Sequence, residues 1–226
     1  MKRRTLLQAL SASVWIGAMP WVQAADLGSH LHTLVIRDDY LGMRDLLRQG
    51  LDPNTRDRQG VPMLVKAMQQ ESLRVADELL NSPKIKVDLA SPSGETALMY
   101  ASIKGNLALV QRLLAMGASV NKPGWTPLHY AASANHEHST EIVRLLLENH
   151  AYIDAESPNK STPLMLAAQY GSEGMVKLLL DEGADVQLRN QQGLSAVDFA
   201  RRSEREFMVK MLDEAYQATR RSKASW

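Results

Sequence analysis

From about residue 27 onward the chain alternates short apolar stretches with polar turns, and the stretches come in pairs. The first of each pair is brief, as at 98–103 and 164–170, and is followed by Gly105 or Gly171, where a helix must turn back and a left-handed residue costs least as glycine. The second, as at 107–114 and 175–180, spaces its apolar residues as a helix with one buried face would, and Gly50, Gly117 and Gly183 close three of these segments. Its leucines keep a fixed beat: Leu46, Leu79, Leu113, Leu146, Leu179 and Leu212 are separated by 33, 34, 33, 33 and 33 residues. The pattern predicts six helix pairs. His150 and Pro83 stand where other units have the closing glycine, so His150 is expected to carry left-handed strain of about 1 kcal/mol and Pro83 to give that helix a different exit.

A second marker recurs at the start of the first helix of each pair. Thr126-Pro127-Leu128-His129-Tyr130-Ala131 has weaker copies in Thr96-Ala97-Leu98-Met99-Tyr100-Ala101, Thr162-Pro163-Leu164-Met165-Leu166-Ala167, Pro62-Met63-Leu64-Val65-Lys66-Ala67 and Ser195-Ala196-Val197-Asp198-Phe199-Ala200. A Thr or Ser hydroxyl suits a helix start because it accepts from a free backbone N–H, and a following Pro has no N–H to leave unpaired. This T-P-L-H-x-A signature at a 33-residue period resembles the ankyrin-repeat family. The resemblance implies an all-α solenoid of about six helix-turn-helix repeats with short hairpin fingers, in which each unit covers its neighbour. It covers about 27–56, 57–90, 91–122, 123–156, 157–189 and 190–216, giving an ankyrin-repeat domain at 25–216 and a frayed tail at 217–226. Methionines such as Met43, Met63, Met99, Met116 and Met165 fall at repeat positions and read as packing groups rather than copper ligands.

The helix-A leucines Leu64, Leu98, Leu128 and Leu164 are spaced 34, 30 and 36 while the helix-B beat holds, so two deviations cancel. The fourth unit has a finger shortened at 121–124 and a loop lengthened within 133–139. In the family, fingers and helix-A faces form a concave surface that grips partners. Carried over by repeat position, that surface holds Gln69, Gln70, Lys104, Trp125, Ser133, Gln169, Tyr170, Gln191 and Arg202, with Asn135, His136 and His138 on the long loop; Arg58, Gln59, Glu95, Asn159 and Gln192 map there too. Uncharged amides and two aromatics suit a protein better than a polyphosphate backbone. Trp125 is the leading anchor, either as an exposed indole at a finger tip or folded over Pro123. His136-Glu137-His138 is not a zinc motif, since Thr140 stands where H-E-x-x-H needs its second histidine, and alternate loop histidines are more often solvated than ligating. The family uses His129 to brace the finger against Thr126.

The front of the chain follows a different pattern. Lys2-Arg3-Arg4 precedes an apolar run from Leu6 to Met19, then Pro20 and the small-residue ending Val22-Gln23-Ala24, as in a bacterial export signal cleaved after Ala24. Arg3-Arg4-Thr5-Leu6-Leu7 also resembles the twin-arginine motif, which leaves the export route open between folded and unfolded passage. The apolar run is short for a membrane span, which needs about 20 residues. The chain of 226 residues carries a net charge of +1; loss of those three basic residues leaves the mature part at −2, against wholesale nucleic-acid binding. The absence of cysteine excludes disulfides, thiolate zinc sites and cysteine nucleophiles.

No G-x-S-x-G, P-loop or G-x-G-x-x-G occurs, and pairs such as Asp77-Glu78 and Asp181-Glu182 fall on exposed helix-B faces. The expectation is a non-enzymatic, periplasmic, monomeric protein-binding module without cofactor or metal, which protects or regulates a protein partner. An immunity protein against a periplasmic toxin and a secreted factor binding a host protein are the alternatives. Exported bacterial ankyrin-repeat proteins of this size resemble accessory factors that stabilise an enzyme or neutralise a toxin.

Overall fold

The computed structural model describes residues 24–224; the expected export signal at 1–24 lies outside the described residues but for its last position. Twelve helices follow as six antiparallel pairs: α1 (Ala24–Ile36) with α2 (Tyr40–Arg48), α3 (Met63–Gln69) with α4 (Leu73–Leu80), α5 (Ala97–Ile103) with α6 (Leu107–Ala115), α7 (Pro127–Ala132) with α8 (Ser139–Glu148), α9 (Pro163–Tyr170) with α10 (Glu173–Asp181), and α11 (Ala196–Arg202) with α12 (Glu206–Ala224). Odd-numbered helices stack on one another in chain order as one layer. Even-numbered helices back them as the second, so the chain is a helical repeat solenoid. Among the described residues there is no strand, only an isolated bridge between Arg56 and Pro62, and no helix is long and apolar enough to cross a membrane.

Helix starts repeat one device with changing chemistry. The Thr96, Thr162 and Ser195 hydroxyls accept from the backbone N–H of Met99, Met165 and Asp198. Those three side chains accept in return from the cap backbone, the methionines through sulfur at 3.4 Å and Asp198 through its carboxylate at 2.9 Å. In the fourth unit His129 Nδ1 takes this place, accepting from the Thr126 N–H at 3.2 Å. The core is continuous along the array: Leu79, Leu113, Leu146, Leu179 and Leu212 are each fully buried, and Leu46 in the terminal unit is half-buried. Each buried leucine contributes about 1.5 to 3 kcal/mol.

Fingers supply a second, polar tie. Asn54, Asp88, Asn121 and Asp154 each accept, through a side-chain oxygen, the backbone N–H of Lys86, Ser119, Tyr152 and Asp185 in the next unit, at 2.8, 2.8, 2.9 and 3.1 Å. The donors recur every 33 residues, so this ladder is as periodic as the core. Within the fingers, Asp57, Ser91, Ser157 and Asn190 close five-residue turns onto Val61, Glu95, Ser161 and Leu194. The shortened fourth finger has no such turn bond; Gly124, at φ +82, instead brings its backbone against the Pro158 ring.

Three sequence expectations change. Gly171 is not left-handed, with φ −74 and ψ 176; glycine is required because a Cβ there would stand 2.6 Å from the Ala132 carbonyl oxygen of the preceding unit. The corresponding turns of the first, second and last units do adopt positive φ, but at Asp38, Glu71 and Glu204. Residues from 217 are helical as far as Ala224, because α12 continues while Ala215 and Tyr216 pack on the core and the Thr219 hydroxyl donates to the Ala215 carbonyl at 3.0 Å. Met116 is exposed at the end of α6, whereas Met43, Met63, Met99 and Met165 are buried. His150 has φ +67 as its place predicts, and the Pro83 segment leaves α4 without a left-handed residue.

Candidate functional site

Stacking places the same motif position of successive first helices side by side on the concave face. The fifth residue of the hexapeptide is Lys66, Tyr100, Tyr130, Leu166 and Phe199 in turn. Lys66 is buried against Asp57 at 3.3 Å, so the row begins with a neutralised cation and continues as rings and a leucine. Tyr100 and Tyr130 meet edge to face, centroids 6.4 Å apart. Over the fourth to sixth units the row, as Tyr130, Leu166 and Phe199, floors a groove of about 610 Å³, within the usual range of ligand sites. Ile103, Trp125, His129, Ser133, Asn159, Ser161, Gln169 and Tyr170 complete its lining, and no residue with a formal charge at neutral pH belongs to it.

Trp125 is half-buried, and its indole stands edge-on to the His129 ring with centroids 5.3 Å apart. It is therefore not a free tip but one wall of the groove. Beneath it, His129 is fully buried and bridges two units: Nδ1 faces Thr126 and Nε2 faces the Ser161 carbonyl at 3.0 Å. Burial pushes its pKa down, against the Ser161 carbonyl, which favours the charged form. The ring is neutral at pH 7, with Nε2–H donating to Ser161 and Nδ1 accepting. Burial likewise lifts the Tyr130 hydroxyl to about 12, with Glu95 adding to the rise.

Of the residues mapped from sequence, Trp125, Ser133, Gln169 and Tyr170 come together in this groove, beside Asn159. The others serve elsewhere. The Gln69 amide donates to the Tyr100 hydroxyl at 2.9 Å, and Gln191 donates to the Pro158 and Asn159 carbonyls, tying adjacent fingers. Lys104 is paired with Glu71, whose pKa its ammonium lowers, first through their hydrogen bond. Gln70, Asn135 and Arg202 are exposed outside the groove. His136 lies on the opposite edge of the helix layer, where the lengthened loop crosses Gly105 so closely that a Cβ there would stand 2.6 Å from the His136 Cβ. His138 pairs with Glu141 at 3.4 Å and borders a second cavity, of about 520 Å³, between Leu73 and Leu107. Among the described residues no three His, Asp or Glu side chains gather as a metal site requires. Sequence reasoning missed Tyr130, Leu166 and Phe199, although the quoted hexapeptides contain them; the signal was an apolar or aromatic residue at a motif position the family leaves free.

A family model for ankyrin repeats matches residues 31–123, 64–157 and 137–221. The chain is 34% identical over 164 residues to the human (Homo sapiens) transient receptor potential cation channel subfamily A member 1, covering 69% of this chain and 15% of that protein. It is 30% identical over 174 residues to the nuclear factor NF-kappa-B p105 subunit of Gallus gallus, covering 74% and 18%. It thus spans less than a fifth of either relative's length. Among solved structures it resembles, with TM-score 0.68 and 25% identity, a chain of the complex between a predatory endopeptidase from Bdellovibrio bacteriovorus and an immunity protein, covering 81% of this chain and 96% of that one. With the repeat signature, the stacked helix pairs and a family match running from residue 31 to 221, the chain belongs to the ankyrin-repeat family.

Proposed function

We propose that the chain is a non-enzymatic binding module of the bacterial periplasm, which holds a protein partner in its concave groove and protects or regulates it. The observation that carries this reading is the uncharged groove walled by Trp125, Tyr130, Tyr170 and Phe199, since a hollow of clustered aromatic rings is what a partner's anchor residues fill. The basic head Lys2-Arg3-Arg4, the apolar run behind it and the small-residue ending at Ala24 support export. A cysteine-free chain held by stacking is compatible with an oxidising compartment.

A pull-down from periplasmic extract with the tagged chain, beside a Trp125→Ala variant, tests the reading. A specific protein band that weakens by about 2 kcal/mol, roughly thirtyfold, in the variant is the expected result. A band indifferent to Trp125→Ala moves the site off the concave face, and recovery of the chain only from spent medium removes the periplasmic placement. A second reading, an immunity protein against a periplasmic toxin, is favoured by the likeness to a chain of the endopeptidase–immunity complex. It predicts that the captured band is a hydrolase and that deleting the gene is lethal unless the hydrolase gene is deleted too.

A further inference from the structure

Several polar side chains beside the groove are tied within the fold, whereas a set inside it is not. Gln69, Lys104 and Gln191 all have partners in neighbouring units. In the groove, by contrast, the Trp125 Nε1–H, the Tyr130 and Tyr170 hydroxyls, the Gln169 amide and the Asn159 Nδ2 make no hydrogen bond among the described residues. The hollow thus combines flat apolar walls with five polar groups that can donate; the indole N–H and the Asn159 Nδ2 can only donate, while the two hydroxyls and the Gln169 carbonyl oxygen can also accept.

A ligand matching that inventory is apolar along its flanks, uncharged, and rich in acceptors without an equal number of N–H groups. An extended proline-containing backbone fits. Proline removes its own N–H, holds the chain in the left-handed extended helix whose carbonyls all face outward, and presents ring faces that pack on aromatic walls. A regular strand fits worse, because each residue would bring an N–H to a groove whose free donors outnumber its free acceptors. An acidic or basic segment would lose hydration against walls that carry no counter-charge. Resting on the concave groove as the binding site, we infer that the partner is held there by an uncharged, proline-containing extended segment.

The test uses the full chain, labelled with nitrogen-15, and blocked peptides of about nine residues, long enough for three turns of such a helix. One is built of Pro-Pro-Leu repeats, one of Gly-Ser-Gln repeats, and one of Pro-Pro-Glu repeats. The Trp125 indole N–H signal, assigned by its loss in Trp125→Phe, is followed during titration. The expected result is saturable movement of that signal by the Pro-Pro-Leu peptide, roughly tenfold tighter than by either control and unchanged between about 0.05 and about 0.5 M salt. Tyr170→Ala, at a side chain 57% exposed and so safe for folding, should weaken it roughly tenfold. Equal or tighter binding of either control peptide overturns the inference, as does an unmoved Trp125 signal. If Pro-Pro-Leu leaves the indole unmoved while the captured partner still depends on Trp125, the proline-segment inference falls and the groove stands. If the partner is indifferent to Trp125 as well, both fall.

Discussion

His129 occupies the place that Met99 and Met165 fill in the neighbouring units, and the exchange makes one residue of the array sensitive to acid. Burial holds its pKa below the ordinary value of 6.5, so the folded protein keeps the neutral ring while the unfolded chain takes up a proton as pH falls past 6.5. Stability is therefore full above that pH and declines with acidification until the folded ring itself titrates. The urea midpoint of the wild type should drop between about pH 7.5 and about pH 5.5, and most of the drop should vanish in His129→Met, which keeps an acceptor for the Thr126 N–H. Backbone strain is equally local. Lys160 has φ +61 where the other five-residue fingers carry Gly60, Gly94 and Gly193, and His150 has φ +67 where Gly50, Gly117 and Gly183 close other units. Lys160→Gly and His150→Gly should each raise stability by about 0.5 to 1 kcal/mol, after the extra freedom glycine gives the unfolded chain is subtracted, as read from denaturant midpoints. At this scale the sequence was partly legible. The place of His150 gave its conformation, and the motif gave the contact of His129 with Thr126. The bond to Ser161 lies 32 residues away and emerges only when two units are stacked.

Helix ends show how one unit completes another. The guanidinium of Arg205 donates to the carbonyls of Ala167, Ala168 and Gly171, so the C-terminus of α9 is capped by a residue that opens the next unit's second helix. Arg205→Ala should cost about 1 to 2 kcal/mol, and hydrogen exchange should quicken first in the last turn of α9. The helices themselves were readable, because caps, apolar spacing and closing glycines all fall within a few residues of each other. The turns between them were less so. Gly171 looks like Gly105 in sequence and both lie too close to a neighbouring unit for a Cβ, yet only Gly105 also takes a positive φ, of +68, and the sequence does not separate the two cases. The groove was half-legible for the same reason. Trp125, Gln169 and Tyr170 follow from repeat position, whereas Tyr130 and Phe199 hide inside a motif whose other residues are structural, and their importance comes from the groove that stacking assembles around them.

Across the molecule, every unit is covered by its neighbours, so damage at the centre is shared. Leu146→Ala, in the middle of the buried leucine row, should lower stability by about 2 to 5 kcal/mol. A probe in either terminal pair, such as the near-ultraviolet signal of Tyr40 or Tyr216, should shift with it if the array melts as one. The bonds from Asn54, Asp88, Asn121 and Asp154 have a mechanical consequence. Each crosses one interface only, so tension applied to the two ends is carried by the interfaces in series, and the weakest yields first. Held in an optical trap, the protein should lengthen in discrete jumps of about 110 Å, the contour of one 33-residue unit, and shorten by the same jumps on release. A molecule built this way behaves as a reversible spring whose stiffness is set by its fingers.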